Sequence, residues 1–199
     1  ADYVDRTNNG PTPDDFGGYT KFTYTHSYPN GNNTYRWRSP YNGYEYSPGD
    51  LSECNDDIFS YSSGEKEVYY LDTVETRPHF AKFILGNDRK DSRSALPEGQ
   101  STGTGLAMNY LDRIELYAKD QDGNPSAAPI KTVHFVYDYE AWPGSPNSTA
   151  PNGGRLTLKQ TWTDYNGVVN ARIAPYKFDY IYPDVTYPAP YNGASSIAS

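Results

Sequence analysis

Val133-His134-Phe135-Val136-Tyr137-Asp138-Tyr139 has the side-chain period of a β-strand. Successive side chains of a strand point to opposite faces of a sheet, so alternate positions of this segment would share a face. The odd positions hold the apolar or aromatic residues Val133, Phe135, Tyr137 and Tyr139. The even positions, which would face the other way, hold His134, Val136 and Asp138. The segment therefore predicts a strand with one apolar face.

Similar runs of β-branched and aromatic residues recur along the chain, bounded by Gly, Pro, Asn and Asp. The predicted strands are Phe22–Thr25, Glu67–Val74, Phe80–Leu85, Leu111–Ala118, Ile130–Tyr139, Leu156–Thr163 and Tyr176–Tyr182. Turn sequences at Asp122-Gly123, Asn152-Gly153-Gly154 and Asn166-Gly167 would join neighbouring runs as hairpins. Because 16 prolines and 17 glycines interrupt the sequence, no helix of ordinary length is predicted. We predict an all-β fold, an antiparallel sheet or sandwich of repeated hairpins with long Pro/Gly-rich loops.

The composition indicates one folded module of ordinary size. The 199 residues include 21 tyrosines, which supply large apolar area suited to half-buried sheet faces. We predict a single β-rich module over residues 1–183 and an extended tail or linker over residues 184–199. A charged and then Ser/Gly-rich stretch near residues 86–105 would be a long loop or a subdivision of the module.

Charge and apolar content exclude two classes of partner. The net charge of −8 and the lack of a basic stripe argue against nucleic acid. The sequence has no apolar run long enough to span a bilayer, so no membrane span is predicted. The lone Cys54 cannot form an intramolecular disulfide, and we expect a buried, inert thiol. Because the chain begins at Ala1 without Met, we expect a processed protein or an excised piece.

Two segments of the chain share one pattern. Residues 111–139 and 156–180 each read as strand, turn and strand, and each ends in aromatic-x-aromatic-Asp-Tyr. The two endings are Phe135-Val136-Tyr137-Asp138-Tyr139 and Tyr176-Lys177-Phe178-Asp179-Tyr180. Repetition of a hairpin is a way of building an extended sheet, in which each unit buries its face against its neighbours.

Tyr137-Asp138 followed by Gly154-Arg155-Leu156 resembles the unit of YD-repeat (Rhs-like) proteins, although the gap is longer and contains three prolines. A wider series of blocks is similar to large surface proteins of Bacteroidetes-type bacteria. These blocks are Ala1-Asp2-Tyr3-Val4-Asp5, residues 17–24, residues 35–38, residues 64–71 and residues 153–158. The resemblance implies a segment of a large exported bacterial protein, secreted or at the cell surface, whose first partners are the flanking segments of its own parent protein. It implies no catalytic residues.

The N-terminal segment contains a candidate calcium loop. Asp5-x-Thr7-x-Asn9-Gly10, followed by Asp14-Asp15, spaces oxygen ligands as calcium loops do, with a Gly that permits the turn. Phe16 stands where the twelfth-position carboxylate is expected, so Asp14 or Asp15 would have to replace it. The candidate ligands are Asp5, Asn9 and Asp14, and the alternative is a simple acidic turn. No other cofactor is predicted.

An aromatic segment, residues 35–46, is the candidate partner-contact site. Its rings belong to Tyr35, Trp37, Tyr41, Tyr44 and Tyr46. These rings crowd a Pro/Gly-rich stretch in which they cannot all be core. Tyr and Trp on a loop offer rigid contact area for a glycan or a protein partner. The alternative is that the segment packs over the edge of the sheet.

Carboxylates are the only candidate catalytic groups. Paired carboxylates hydrolyse glycosides, and the acidic residues available in aromatic surroundings are Glu53, Asp56, Asp57, Glu65, Glu67, Asp138 and Glu140. Acidic residues on the solvent face of strands are the ordinary interpretation. The histidines His26, His79 and His134 lack zinc-binding spacing, and no nucleophile or phosphate-binding motif occurs. We therefore predict no enzyme activity.

The charged run around Asp91 has two interpretations. Arg89, Asp91 and Arg93 would form a solvated charged loop, which we favour, or an ion-pair cluster with Glu65 or Glu67. The preferred function is a structural or interaction module of a large exported protein. A glycan-binding module that uses residues 35–46 is the alternative, and a glycoside hydrolase is the third hypothesis.

Overall fold

A computed structural model of the chain describes residues 3–10, 15–26, 34–39, 62–95, 106–145, 148–166 and 168–181. These residues form strands and no helix, which confirms the all-β prediction. The strands are β1 (Tyr3–Val4), β2 (Phe16–Gly17), β3 (Thr20–His26), β4 (Thr34–Ser39), β5 (Ser62–Glu67), β6 (Tyr69–Thr76), β7 (His79–Gly86), β8 (Tyr110–Ala118), β9 (Lys131–Ala141), β10 (Arg155–Tyr165) and β11 (Val168–Lys177). In the described part of the chain, no helix is long and apolar enough to cross a membrane.

Seven of the strands form one sheet in the order β11-β10-β9-β8-β7-β6-β3. Every neighbouring pair in this sheet is antiparallel. The other strands form two ribbons, β1–β2 and β4–β5, which are also antiparallel. The two repeated segments of the sequence correspond to the hairpins β8–β9 and β10–β11, which lie side by side in the sheet.

The last predicted strand is displaced along the sequence. The structure places β11 at Val168–Lys177, so the predicted run Tyr176–Tyr182 shares only its first two residues with the strand. Pro175 hid this strand in the sequence, because Pro cannot donate a hydrogen bond to a neighbouring strand and so argues against a strand. It is tolerated here because β11 lies at the edge of the sheet. Beyond β11, the Phe178 amide donates to the Lys159 carbonyl (2.9 Å) and the Tyr180 hydroxyl donates to the Leu158 carbonyl (2.8 Å).

The register gives the sheet two chemically different faces. On the apolar face, Ile114 of β8 lies opposite both Phe83 of β7 and Val133 of β9. On the polar face, His134 of β9 lies opposite Arg113 of β8 and Trp162 of β10. The alternation predicted for β9 is therefore confirmed.

Deep burial of hydrophobic side chains is rare among the described residues. The buried hydrophobic residues in the described ranges are Tyr35, Ala141 and Ala150, and most sheet residues are only half-buried. No second sheet of comparable size occurs within the described ranges. The sheet is thus a single wide layer accompanied by two small ribbons, and not one half of a described sandwich.

The segment 87–95, predicted as a solvated charged loop, is instead built into the fold. Asp91 is only 1% exposed and accepts hydrogen bonds from both Arg89 nitrogens (2.7 and 3.1 Å) and from the Leu156 amide (3.1 Å). The Tyr139 hydroxyl accepts a hydrogen bond from the Lys90 amide (3.0 Å). The prediction of a solvated loop is wrong, because an acceptor on β9 and donors on β10 converge on this segment.

The predicted partners of this segment also differ from those in the structure. Glu65 pairs with Arg36 (2.7 Å), and Glu67 accepts a hydrogen bond from the Tyr69 hydroxyl (2.7 Å). Backbone hydrogen bonds join Ser92 and Ser94 to the segment that begins at Leu106. Residues 96–105 and the predicted tail at 184–199 lie outside the described residues.

Candidate functional site

The candidate calcium loop is a tight turn organised by Asp5. Its Oδ1 accepts the Thr7 and Asn8 amides, and its Oδ2 accepts the Gly10 amide at 3.0 Å. Desolvation acts to raise the pKa of Asp5, but these three hydrogen bonds outweigh it, so the pKa lies below its ordinary value. A carboxylate oxygen has two lone pairs, and those of Oδ1 are both used by amides, whereas Oδ2 accepts a single amide. A calcium ion in this loop would therefore bind Asp5 through Oδ2.

The other predicted ligands are placed differently. The Asn9 side-chain oxygen accepts the Thr7 hydroxyl, and Asp15 is buried with its Oδ1 on the Arg6 amide (2.8 Å). Asp14 lies outside the described residues. The described ranges contain no group of three His, Cys, Asp or Glu side chains that could hold a metal ion. Calcium binding by Asp5, Asn9 and Asp14 stays a prediction.

The aromatic segment begins on β4, where its two described rings have different roles. Tyr35 is 6% exposed, and its hydroxyl lies 3.3 Å from the Ser92 hydroxyl, so this ring packs and offers no contact area. Trp37 is 39% exposed and lies opposite Gly64 of β5. A Cβ atom at Gly64 would come within 3.0 Å of the indole, so the glycine leaves the space that the ring occupies.

A charged group lies against the first of these two rings. The Lys66 ammonium lies 5.0 Å from the centre of the Tyr35 ring, within the range of a cation–π contact. Arg36 and Glu65 form a cross-strand ion pair on the opposite face of the ribbon, because Arg36 alternates with Tyr35 and Trp37 along β4. The three other predicted contact residues, Tyr41, Tyr44 and Tyr46, lie outside the described residues. Trp37 is therefore the described member of the set that can meet a partner.

Three of the four described acidic residues considered for glycoside hydrolysis are paired with cations, and Glu67 accepts the Tyr69 hydroxyl. The Lys159 ammonium lies 3.5 Å from an Asp138 oxygen and 2.9 Å from a Glu140 oxygen, so a positive charge stands between these two carboxylates. Glu65 is paired with Arg36. The candidates Glu53, Asp56 and Asp57 lie outside the described residues. The Asp138–Glu140 pair therefore functions as an ion-pair cluster on the sheet surface.

The polar face of the sheet carries a cluster that sequence reasoning missed. On β8, the Glu115 carboxylate accepts the Arg113 Nε–H and the Tyr117 hydroxyl, each at 2.8 Å. Burial acts to raise the pKa of Glu115, but the two hydrogen bonds outweigh it and the pKa lies below its ordinary value. The hydrogen bond to Glu115 is also the main cause that raises the pKa of Arg113 above its ordinary value. The Arg113 and Glu115 side chains are thus held in their charged forms.

The second part of the polar-face cluster lies on β9 and β10. The His134 ring stacks on the Trp162 indole, with centres 3.7 Å apart and planes 6° apart. His134 Nε2 lies 2.8 Å from an Asp164 oxygen, and the other oxygen, Asp164 Oδ1, is buried without a hydrogen-bond partner in the structure. The arrangement fixes the His134 ring from two sides.

The sequence contained part of the signal for this cluster. Alternation along Leu111–Ala118 places Arg113, Glu115 and Tyr117 on one face, as the structure confirms. The pairing of His134 with Trp162 and Asp164 depends on the β9–β10 register, which contains two irregularities. A period-2 pattern cannot specify such a register.

Comparison with known protein families, with characterised protein sequences and with solved structures found no match. The resemblance to YD-repeat and Bacteroidetes-type surface proteins therefore stays a prediction, and the function has to be argued from the described geometry.

Proposed function

We propose that the chain is a structural or interaction module of a large secreted or cell-surface bacterial protein. The observation that carries this proposal is the form of the main sheet. It is an antiparallel sheet that ends at β3 on one side and at β11 on the other, with no further strand beside either among the described residues. An edge strand presents unpaired N–H and C=O groups that another strand can join.

The half-buried faces of the sheet support the same proposal. A single layer buries less apolar surface than two packed layers do, and most domains pair their layers for this reason. The apolar face includes Phe83, Ile114 and Val133, which are half-buried in this chain. A larger parent protein would cover such a face with its neighbouring segments.

The charged groups of the sheet favour a structural role over catalysis. Lys119 is almost fully buried, and its ammonium lies 2.6 Å from a Glu75 oxygen. Asp91, Glu115 and Asp138 are also held by cationic partners. Carboxylates engaged in this way are held in structural ion pairs, and we propose no enzyme activity for them.

Hydrogen exchange tests the proposal. We would compare the chain alone with the chain extended by its natural flanking sequence. In the chain alone, amides of β3 and β11 should exchange faster than those of β8 and β9, which are paired on both sides. The extension should slow exchange at one or both edges. Equal exchange rates at the edges in both proteins would contradict a role as a link.

A glycan-binding module is the second candidate, because Trp37 presents an exposed indole on β4. Aromatic rings with rigid backbones supply flat contact area at low entropic cost. The ring is held over Gly64, which fixes the position of its exposed surface. We propose that glycans which bind this chain contact Trp37.

A glycan array with three variants tests this second candidate. Trp37→Ala should abolish binding, and Gly64→Ala should weaken it because the added methyl group displaces the indole. Trp142→Ala is the matched control, since Trp142 is similarly exposed (44%) but lies just beyond β9. Binding that survives Trp37→Ala, or that is lost equally in the control, would exclude the β4 site.

A further inference from the structure

The edge strand β3 exposes large aromatic side chains. Phe22 is 53% exposed and Tyr24 is 62% exposed. On the adjacent strand β6, Tyr69 is 51% exposed. Exposed aromatic side chains that lie next to each other at a sheet edge are unusual in an isolated protein, and they mark a surface used for association.

These rings lie on the same face of the sheet. Phe22 is opposite Val74, and Tyr24 is opposite Leu71. His26 is opposite Tyr69, with ring centres 4.5 Å apart. The one irregularity in this pairing places its extra residue in β6, so β3 itself keeps a regular alternation. The exposed rings therefore extend the apolar face of the sheet to its edge.

The β3 edge has few of the features by which proteins block strand addition. Its sequence, Thr20–His26, contains no Pro and no Gly, and its one fully charged residue, Lys21, lies opposite Glu75 of β6. The other edge differs, because β11 contains Pro175 and its pairing with β10 is irregular at two places. Although the chain has a net charge of −8, β3 carries no carboxylate, so two copies can meet at this strand without placing carboxylates of β3 against each other.

We propose that β3 pairs with β3 of a second copy of this chain, in an antiparallel arrangement with its two-fold axis at Thr23. This register places Phe22 opposite Tyr24 of the second copy, and Tyr24 opposite Phe22 of the second copy. A two-fold axis perpendicular to the sheet keeps the apolar faces of both copies on the same side. Cross-strand aromatic pairs of this kind stabilise a sheet.

The same register separates like charges. Lys21 falls opposite Thr25 of the second copy, and so the two lysines do not meet. The competing head-to-tail arrangement, β3 against β11, is less favourable. Because seven strands alternate in direction, β3 and β11 run the same way, and copies related by translation would form a parallel pair.

The dimer should be weak, because a single pair of seven-residue strands forms a small interface. Contacts of this size lie below the range of stable complexes, and we expect a dissociation constant on the order of 0.1 mM. The inference concerns the chain as it stands and does not depend on the identity of a parent protein.

Sedimentation of charge-swap variants tests the pairing. Phe22→Lys combined with Tyr24→Lys places lysine opposite lysine across the two-fold axis, and Phe22→Glu combined with Tyr24→Glu places glutamate opposite glutamate. Each variant alone should be monomeric at concentrations at which the wild-type chain dimerises. An equimolar mixture should dimerise again, because each lysine then meets a glutamate. Circular dichroism checks that both variants fold, as expected for substitutions at exposed positions.

Tyr176→Lys is the control, since Tyr176 is 71% exposed and lies on β11 at the opposite edge. It should leave the wild-type dimer unchanged. A wild-type chain that stays monomeric at millimolar concentration would overturn the inference. So would a dimer that persists in both charged variants, is lost in the β11 control, or fails to return on mixing.

Discussion

Asp91 joins its own segment to the start of β10. Its side chain binds Arg89 within the same segment and the Leu156 amide at the start of β10, and its backbone carbonyl accepts Arg155 Nη1 at 2.9 Å. The carboxylate is buried, so it depends on these donors in place of water. Removing one member of a buried ion pair leaves the other without its partner.

Asp91→Ala should lower the free energy of unfolding by about 3 kcal/mol, because it leaves the Arg89 guanidinium and the Leu156 amide without an acceptor. Urea unfolding followed by circular dichroism measures the change. Glu140→Ala is the matched control, since Glu140 pairs with Lys159 but its side chain is 61% exposed. This control should change the stability by less than about 1 kcal/mol. Equal losses in the two variants would contradict a special role for Asp91.

Calcium binding at the Asp5 turn is a second prediction at the residue scale. Titration calorimetry should show calcium binding to the wild-type chain and none to Asp14→Ala, because a carboxylate at this position would complete the oxygen set of Asp5 and Asn9. Asp122→Ala, in a separate exposed turn, should bind as the wild type does. Absence of heat with the wild-type chain at millimolar calcium would remove the prediction.

At the scale of the strands, the sequence predicted what depends on local pattern. The period-2 alternation of Leu111–Ala118 and Ile130–Tyr139 was sufficient to place β8 and β9, because their side chains alternate between two chemically distinct faces. The pattern failed at β11, where the strand contains Pro175 and the aromatic motif continues past its end.

The candidate sites were less predictable, because they depend on contacts between distant residues. Asp91 and Leu156 lie 65 residues apart, and nothing in the spacing of the charged run indicates that donors of β10 meet it. The role of Tyr35 was similarly hidden. Nothing in the sequence shows which of the two rings, Tyr35 or Trp37, is buried. In the structure, packing buries the Tyr35 ring and leaves the Trp37 ring exposed.

The connection between β9 and β10 depends on a glycine for close backbone approach. A Cβ atom at Gly154 would lie 1.7 Å from the Tyr139 carbonyl oxygen and 3.0 Å from that of Ala141, so the two backbones could not keep their positions. Gly154→Ala should therefore destabilise the chain by at least about 2 kcal/mol, measured by thermal or urea unfolding.

Gly18→Ala is the matched control for this effect. A Cβ atom there would meet nothing within 4 Å, and the backbone is not in the left-handed region. We expect a change within about 0.5 kcal/mol. If Gly154→Ala were as stable as this control, the close approach between β9 and β10 could not be a constraint on the fold.

At the scale of the whole molecule, the described residues form one wide sheet with few deeply buried side chains, so this sheet has to draw stability from sources besides a thick apolar core. Charged groups that link strands are one such source. They include Lys119 with Glu75, and Lys159 with Asp138 and Glu140. Several of these carboxylates must stay ionised for the links to persist, so the stability of the molecule should depend on pH.

The fold should lose stability in acid. Hydrogen bonds hold the pKa values of Asp91 and Glu115 below their ordinary values in spite of desolvation, and hydrogen bonds from the Asn124 amide lower that of Asp120. A carboxylate whose pKa is lower in the folded state stabilises the fold above its unfolded pKa, about 4. This stabilisation is lost as the pH falls through the folded pKa. The melting temperature should therefore change little between about pH 7 and 5.5 and fall steeply below about pH 4.

Asp91→Asn separates this effect from the general change in net charge. The variant should be less stable than the wild type at neutral pH, because an amide cannot pair with Arg89 as an anion does. It should also lose less stability between neutral pH and pH 3, since one of the linked protons is no longer taken up. Asp120→Asn, at an exposed turn, should leave more of the acid dependence in place. An Asp91→Asn variant that loses stability in acid as steeply as the wild type would show that the buried pair does not control the response.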